Sequence, residues 1–168
     1  KDTFYKYFEA FGFTEKTGID LPAEATPVAD VTYHSLNKMR ISELSSSSFG
    51  QTFQVTPIQI ITAVSAIANG GKLMQPYVVS SMLDGDGNVM KKTEPIVKRQ
   101  VISEKTASIV SNMMEQVVSV GTGKNAYVAG YHVAGKTGTS EKIGHEGAYI
   151  ASFAGFAPAD DPQIAILV

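Results

Sequence analysis

A stretch late in the chain, Tyr131-His132-Val133-Ala134-Gly135-Lys136-Thr137-Gly138-Thr139, constrains the fold more than any other. It begins with strand-forming residues, loses its side chains at Gly135 and Gly138, and sets a cation and hydroxyls (Lys136, Thr137, Thr139) around those glycines. Alternate side chains of a strand face the same way, which puts Lys136 and Gly138 on one face and Thr137 and Thr139 on the other. A glycine inside a strand marks a bulge or a close approach to the backbone. The pattern predicts a sheet edge with bared N–H groups, hydroxyl donors and one positive charge, a surface suited to a carboxylate.

Gly130 to Thr137 also match the G-x-x-x-x-G-K-[ST] phosphate loop letter for letter. Such a loop follows a buried strand and opens a helix whose N-terminus holds the phosphate. Here Gly121 to Tyr127 offer little apolar continuity, and Gly138, Gly144 and Gly147 leave no room for a helix. A nucleotide-binding module is therefore the lesser alternative.

With 168 residues, 43% apolar and 18% charged, the chain has the make-up of one globular domain. A net charge of -2 argues against nucleic acid as a partner. The absence of cysteine excludes disulfides and thiolate metal sites. His34, His132 and His145 lack metal-ligand spacing, so neither metal nor cofactor is expected. No apolar run approaches the length of a membrane span. The chain opens on Lys1-Asp2-Thr3-Phe4 inside a helical pattern and closes on Ile164 to Val168 inside a strand pattern. It is read as a fragment truncated at both ends, with any targeting or anchoring segment expected outside it.

Phe4, Tyr5, Tyr7, Phe8 and Phe11 predict an amphipathic helix stopped by Gly12, its aromatic stripe turned to the core. The connector from Phe13 to Pro22 holds a second Lys-Thr-Gly, Lys16-Thr17-Gly18. It precedes Ile19 instead of a hydroxyl and follows no strand-like run, so it is set aside. Ala23 to Leu44 reads as an extended loop with short helical pieces. Within it Ser35-Leu36-Asn37-Lys38 has the Ser-x-x-Lys spacing of a serine nucleophile and its lysine. Such a nucleophile opens a buried helix; Met39 to Leu44 and the serines beyond are too polar for one, and this pair is set aside too.

Thr56 as N-cap and Pro57 at the first helical position open a buried helix that stops at Asn69-Gly70-Gly71. Tyr77 to Val79 and Val89-Met90 flank Asp84-Gly85-Asp86-Gly87-Asn88. As a calcium loop this fails, with Val89 in place of glycine and Pro95 in place of glutamate; it reads as a hairpin turn. Ser103 caps a helix whose Ala107, Val110, Met113, Met114, Val117 and Val118 share one face, the methionines being core, and Gly121 and Gly123 end it. Ser140 to Ala148 is a polar loop, Tyr149 to Pro158 a strand and Gln163 to Val168 a last strand. Strands joined by short loops imply an antiparallel sheet packed against helices, an α+β fold.

Several of these stretches together resemble one family. Phe11-Gly12-Phe13, Thr17-Gly18-Ile19-Asp20-Leu21-Pro22, Phe49-Gly50-Gln51 with Val55-Thr56-Pro57, and Ala68-Asn69-Gly70-Gly71 are similar to the transpeptidase domain of class B penicillin-binding proteins. So are Gly121-Thr122-Gly123, Gly135-Lys136-Thr137-Gly138-Thr139-Ser140 and Ala151 to Pro158, in the family's order. The resemblance implies an incomplete D,D-transpeptidase or beta-lactamase-like fold, with residues 1–168 the C-terminal portion of a single transpeptidase domain. It also implies a peptidoglycan cross-linking enzyme. A serine attacks the D-Ala-D-Ala end of a stem peptide, D-Ala leaves, and an amine from another stem resolves the acyl-enzyme. Beta-lactam antibiotics acylate the same serine.

By the family pattern Lys136 joins the network around that serine and favours the substrate carboxylate, to which Thr137 and Thr139 offer hydroxyls. The Thr139 N–H is an oxyanion donor, and Gly138 keeps the edge open. Lys136 and Thr139 are thus the catalytic candidates. The family's nucleophile precedes the aromatic helix, so it is expected ahead of Lys1 and the isolated chain is expected to be inactive. The parent protein is expected at the extracytoplasmic face of the bacterial cell membrane, anchored outside this chain. A non-catalytic relative that keeps the sheet for binding is the alternative.

Overall fold

The computed structural model describes residues 1–142, 144–145 and 147–168. Residues 143 and 146, in the polar loop expected after Ser140, lie outside them.

Helix α1 (Asp2–Ala10) follows the aromatic repeat. Its Phe8 is buried, with ring centroids of Phe13 and Phe53 each 5.2 Å away and that of Tyr33 at 5.7 Å. The stripe is not wholly internal, because Tyr7 is exposed. Helix α2 (Ile41–Ser47) runs through serines that look like loop. It holds because Glu43 Oε2 accepts from the Arg40 N–H at 3.0 Å, while Ser46 Oγ donates to the Ser42 carbonyl at 3.0 Å, so polar side chains serve the helix's own backbone.

Helix α3 (Pro57–Ala68) starts at the expected cap. Thr56 Oγ1 accepts from the Gln59 N–H and Gln59 Oε1 accepts from the Thr56 N–H, a reciprocal capping box. In helix α4 (Glu104–Ser119) Ser103 Oγ accepts from the Thr106 N–H at 3.1 Å. Its buried face is Ala107, Ser111, Met114 and Val118; Met113, expected in the core, falls on the flank and is exposed.

Strand β1 (Lys72–Met74) pairs antiparallel with β4 (Val97–Gln100), a ladder the sequence reading assigned no strands to. Strands β2 (Ser81–Leu83) and β3 (Val89–Lys92) form the expected hairpin. Its first arm begins later than Tyr77 to Val79, because the N–H groups of Val78 and Val79 are held at 2.7 and 2.9 Å by the Asp20 carboxylate.

The main sheet is antiparallel in the order β5 (Ala134–Glu141), β6 (Tyr149–Ala157), β7 (Ile164–Leu167), as expected. Helices α3 and α4 cover one face. Met114, Ala134 and Phe156 are buried together there, with Val64, Ile67 and Ala165 packed around them. Among the described residues no helix is long and apolar enough to cross a membrane.

Candidate functional site

Strand β5 lies in unbroken register on β6, from Ala134 opposite Phe156 to Glu141 opposite Tyr149. Its hydrogen-bonding direction follows from the third strand. Phe153, opposite Thr137, exchanges both backbone hydrogen bonds with Val168 at 2.9 Å, so its N–H and C=O face β7. Thr137 therefore turns its own N–H and C=O away from β6, and by the two-residue alternation so does Thr139. That outer side of β5 pairs with no strand among the described residues. Lys136 Nζ lies along it, donating to the Thr137 carbonyl at 2.7 Å. An ammonium, hydroxyls and outward N–H groups thus share one sheet edge.

The side chains divide between the faces as alternation requires. Ala134 is buried in the core, so Lys136 and Gly138 are on the helix side, where Lys136 has passed beyond cover and is exposed. Thr137 is half-buried and Thr139 exposed on the other face. At Gly135 the expected close approach to the backbone comes from within the sheet. A β-carbon there would overlap the ring of Phe153, which lies across it, so the group that comes close belongs to β6. Gly138 lies opposite Ser152, whose Oγ would stand 2.5 Å from a β-carbon.

The opposite sheet face forms an open cleft of about 420 Å³ lined by Val128, Tyr131, Val133, Phe153, Ile164 and Ile166 among others. Its lining is mostly apolar, which makes the edge the better place for an anion. The phosphate-loop alternative needs a helix opening at Lys136. Lys136 and Thr137 lie inside β5 instead.

The discarded motifs have structural roles. Ser35 Oγ donates to Asp30 Oδ1 at 2.9 Å, and Lys38 Nζ pairs with Asp30 Oδ2 at 3.1 Å; both turn to one carboxylate in a loop. In the early Lys-Thr-Gly, the Thr17 N–H and hydroxyl and the Gly18 N–H donate to the Glu24 carboxylate at 2.6, 2.6 and 3.1 Å. Burial raises the Glu24 pKa, but these donors outweigh it and hold the group below its ordinary value.

Two contacts near β5 escaped the sequence reading. His132 Nδ1 and Glu115 Oε1 are 2.7 Å apart, tying the approach to β5 onto α4. That hydrogen bond, with the negative charges of Glu115 and Asp160, raises the His132 pKa. Thr122 Oγ1 stands 3.2 Å from Thr137 Oγ1. The one signal for Thr122 was a hydroxyl enclosed by Gly121 and Gly123 at a helix end, which read only as a stop.

Comparison with known proteins places these features in context. Residues 1–168 match the family model of the penicillin binding protein transpeptidase domain. Stage V sporulation protein D of Bacillus subtilis is 44% identical over 173 residues, covering all of this chain and 26% of that protein. Peptidoglycan D,D-transpeptidase FtsI of Escherichia coli is 30% identical over 166 residues, covering 96% of this chain and 26% of that protein. Among solved structures, penicillin-binding protein 3 of Mycobacterium tuberculosis complexed with aztreonam is 30% identical with a TM-score of 0.85, over 99% of this chain and 39% of that one. The chain therefore spans about a quarter of the length of these curated relatives.

Proposed function

The chain belongs to the penicillin-binding protein transpeptidase family, and from that premise we propose that it is the C-terminal portion of a single transpeptidase domain in a peptidoglycan D,D-transpeptidase. The parent enzyme cross-links stem peptides through an acyl-serine intermediate. This chain supplies the Lys136-Thr137-Gly138-Thr139 edge that binds the D-Ala-D-Ala end, and beta-lactams occupy the same place. The nucleophile comes from a Ser-x-x-Lys segment ahead of Lys1, since Ser35 and Lys38 are engaged with Asp30.

The observation that carries this reading is the outward side of β5, where the Lys136 ammonium and the N–H of Thr139 lie on an edge with no strand beside it among the described residues. The serine oxygen adds to the carbonyl of the penultimate D-Ala, and negative charge develops on that carbonyl oxygen. A fixed N–H at Thr139 stabilises the oxyanion without reorganising; one such donor typically contributes about a hundredfold or more in rate. Lys136 and the Thr137 and Thr139 hydroxyls hold the terminal carboxylate, so that the C–N bond breaking releases D-Ala as the leaving amine. The acceptor amine of a second stem then attacks the acyl-serine. Such an enzyme works on the outer face of the bacterial cell membrane, held there by a segment outside this chain.

The test is acylation of the full-length parent by a fluorescent penicillin. Lys136→Ala is expected to lower the acylation rate about a hundredfold or more, the scale on which a fixed electrostatic group acts. Acylation at the unaltered rate would overturn the role of this edge. A parent that binds penicillin without forming the adduct would be a non-catalytic relative.

A further inference from the structure

The chain leaving α4 folds back towards β5 because it can lie flat on the helix end. A β-carbon on Gly121 would stand 2.9 Å from the Val117 carbonyl oxygen, and one on Gly123 would stand 3.1 Å from the same atom. The Gly123 N–H donates to that oxygen at 2.8 Å and pins the turn. Thr122, between the glycines, is exposed, and its hydroxyl reaches Thr137 Oγ1 at 3.2 Å. Neither hydroxyl has another hydrogen-bond partner among the described residues.

A hydroxyl has one proton to give and two sites that accept. Two arrangements of the pair follow. If Thr137 donates to Thr122, its only proton is engaged and it can offer an anion nothing. If Thr122 donates, the Thr137 proton is free, and accepting a hydrogen bond makes Thr137 a stronger donor in turn. A carboxylate only accepts, so its arrival at the β5 edge selects the second arrangement.

Resting on the transpeptidase reading, we propose that Thr122 is a positioning residue for substrate recognition: it donates to Thr137 Oγ1 and so directs the Thr137 proton at the terminal carboxylate of the stem peptide or of a beta-lactam. The glycines on either side are the means by which a helix end delivers that hydroxyl to the strand.

The experiment measures acylation of the full-length enzyme by a penicillin and by its carboxylate methyl ester. Thr122→Val is expected to lower the second-order acylation constant for the free acid about tenfold, the scale of one hydrogen bond, through weaker binding and not a slower maximal rate. Thr122→Ser should restore it, and the methyl ester should react equally with both variants. Combining Thr122→Val with Thr137→Val should be no worse than Thr137→Val alone, because Thr122 acts through Thr137. Thr122→Ala provides a second hydroxyl deletion with less bulk. Unchanged acylation in both deletions, equal losses with acid and ester, or losses that multiply would each overturn the proposal. If Lys136→Ala is also without effect, the transpeptidase reading itself fails; if Lys136→Ala is impaired and the Thr122 deletions are not, only Thr122 has been misassigned.

Discussion

The ring of Phe153 on β6 lies across Gly135 on the neighbouring strand, in the space where any other residue would carry its β-carbon. Phe153 pairs directly with Thr137, so the ring leans diagonally along β5, and it crowds Gly155 on its own strand as well. Gly135→Ala is therefore expected to destabilise the protein by about 1–3 kcal/mol, the usual cost of overpacking. Urea unfolding measures it. Paired with Phe153→Leu, the change should cost less than the sum of the single substitutions, since the obstacle has been cut back. Strict additivity would show that the ring is not the obstacle.

Gln59 is 3% exposed, and its Nε2 donates to the carbonyls of Gly12 and Glu15 at 3.2 and 3.0 Å. It joins the connector after α1 to the head of α3 while its Oε1 serves the capping box. Gln59→Leu keeps the bulk and leaves those acceptors without their donor. The expected loss is about 2 kcal/mol in unfolding free energy. A loss below about 0.5 kcal/mol, within the scatter of ordinary surface changes, would show that the connector is held by other means.

The His132 contact with Glu115 makes a pH prediction with a definite sign. The imidazole is raised above its ordinary value of 6.5 by the hydrogen bond to Glu115, then by the charges of Glu115 and Asp160. Its contribution to stability is fully present below about 6.5, the unfolded value, and is lost as pH rises through the higher folded value. The wild-type protein should lose thermal stability relative to His132→Gln as pH rises from below 6.5 through the folded pKa. Parallel stability curves for the two proteins would remove this coupling.

The isolated chain should form no stoichiometric penicillin adduct, because Ser35, the serine with a lysine at the right spacing, is bonded to Asp30 in a loop. Intact-mass spectrometry after incubation with penicillin checks this. An adduct of one penicilloyl group per chain would show a nucleophile within these residues.

The elements that could be read from the sequence were those with a strong period. Phe4 to Phe11, Ala107 to Val118 and the β5 to β7 run were legible because burial on one side imposes spacing. The β1–β4 ladder was not. Arg99 on β4 is there to reach the Ala10 carbonyl at 2.7 Å and the Glu15 carboxylate at 2.8 Å, so a polar strand serves as a hydrogen-bonding surface for the connector. Serines that cap one another's carbonyls hid α2 in the same way. The candidate site residues Lys136, Thr137, Gly138 and Thr139 stand out by their local pattern, and they lie together on β5. Thr122 and Phe153 were not, because their relation to β5 exists only after folding brings a helix end and a neighbouring strand beside it.

The early Lys16-Thr17-Gly18 gives the late one a wider meaning. Thr17 and Gly18 grip the side chain of Glu24 with two amides and a hydroxyl, so this short string closes on an acid even where no chemistry is done. A genome search keyed on those letters would score both copies alike. What distinguishes them is who brings the acid: for the first it is the same polypeptide, a few residues on, and for the second, under the proposed function, it would be a visitor from solution.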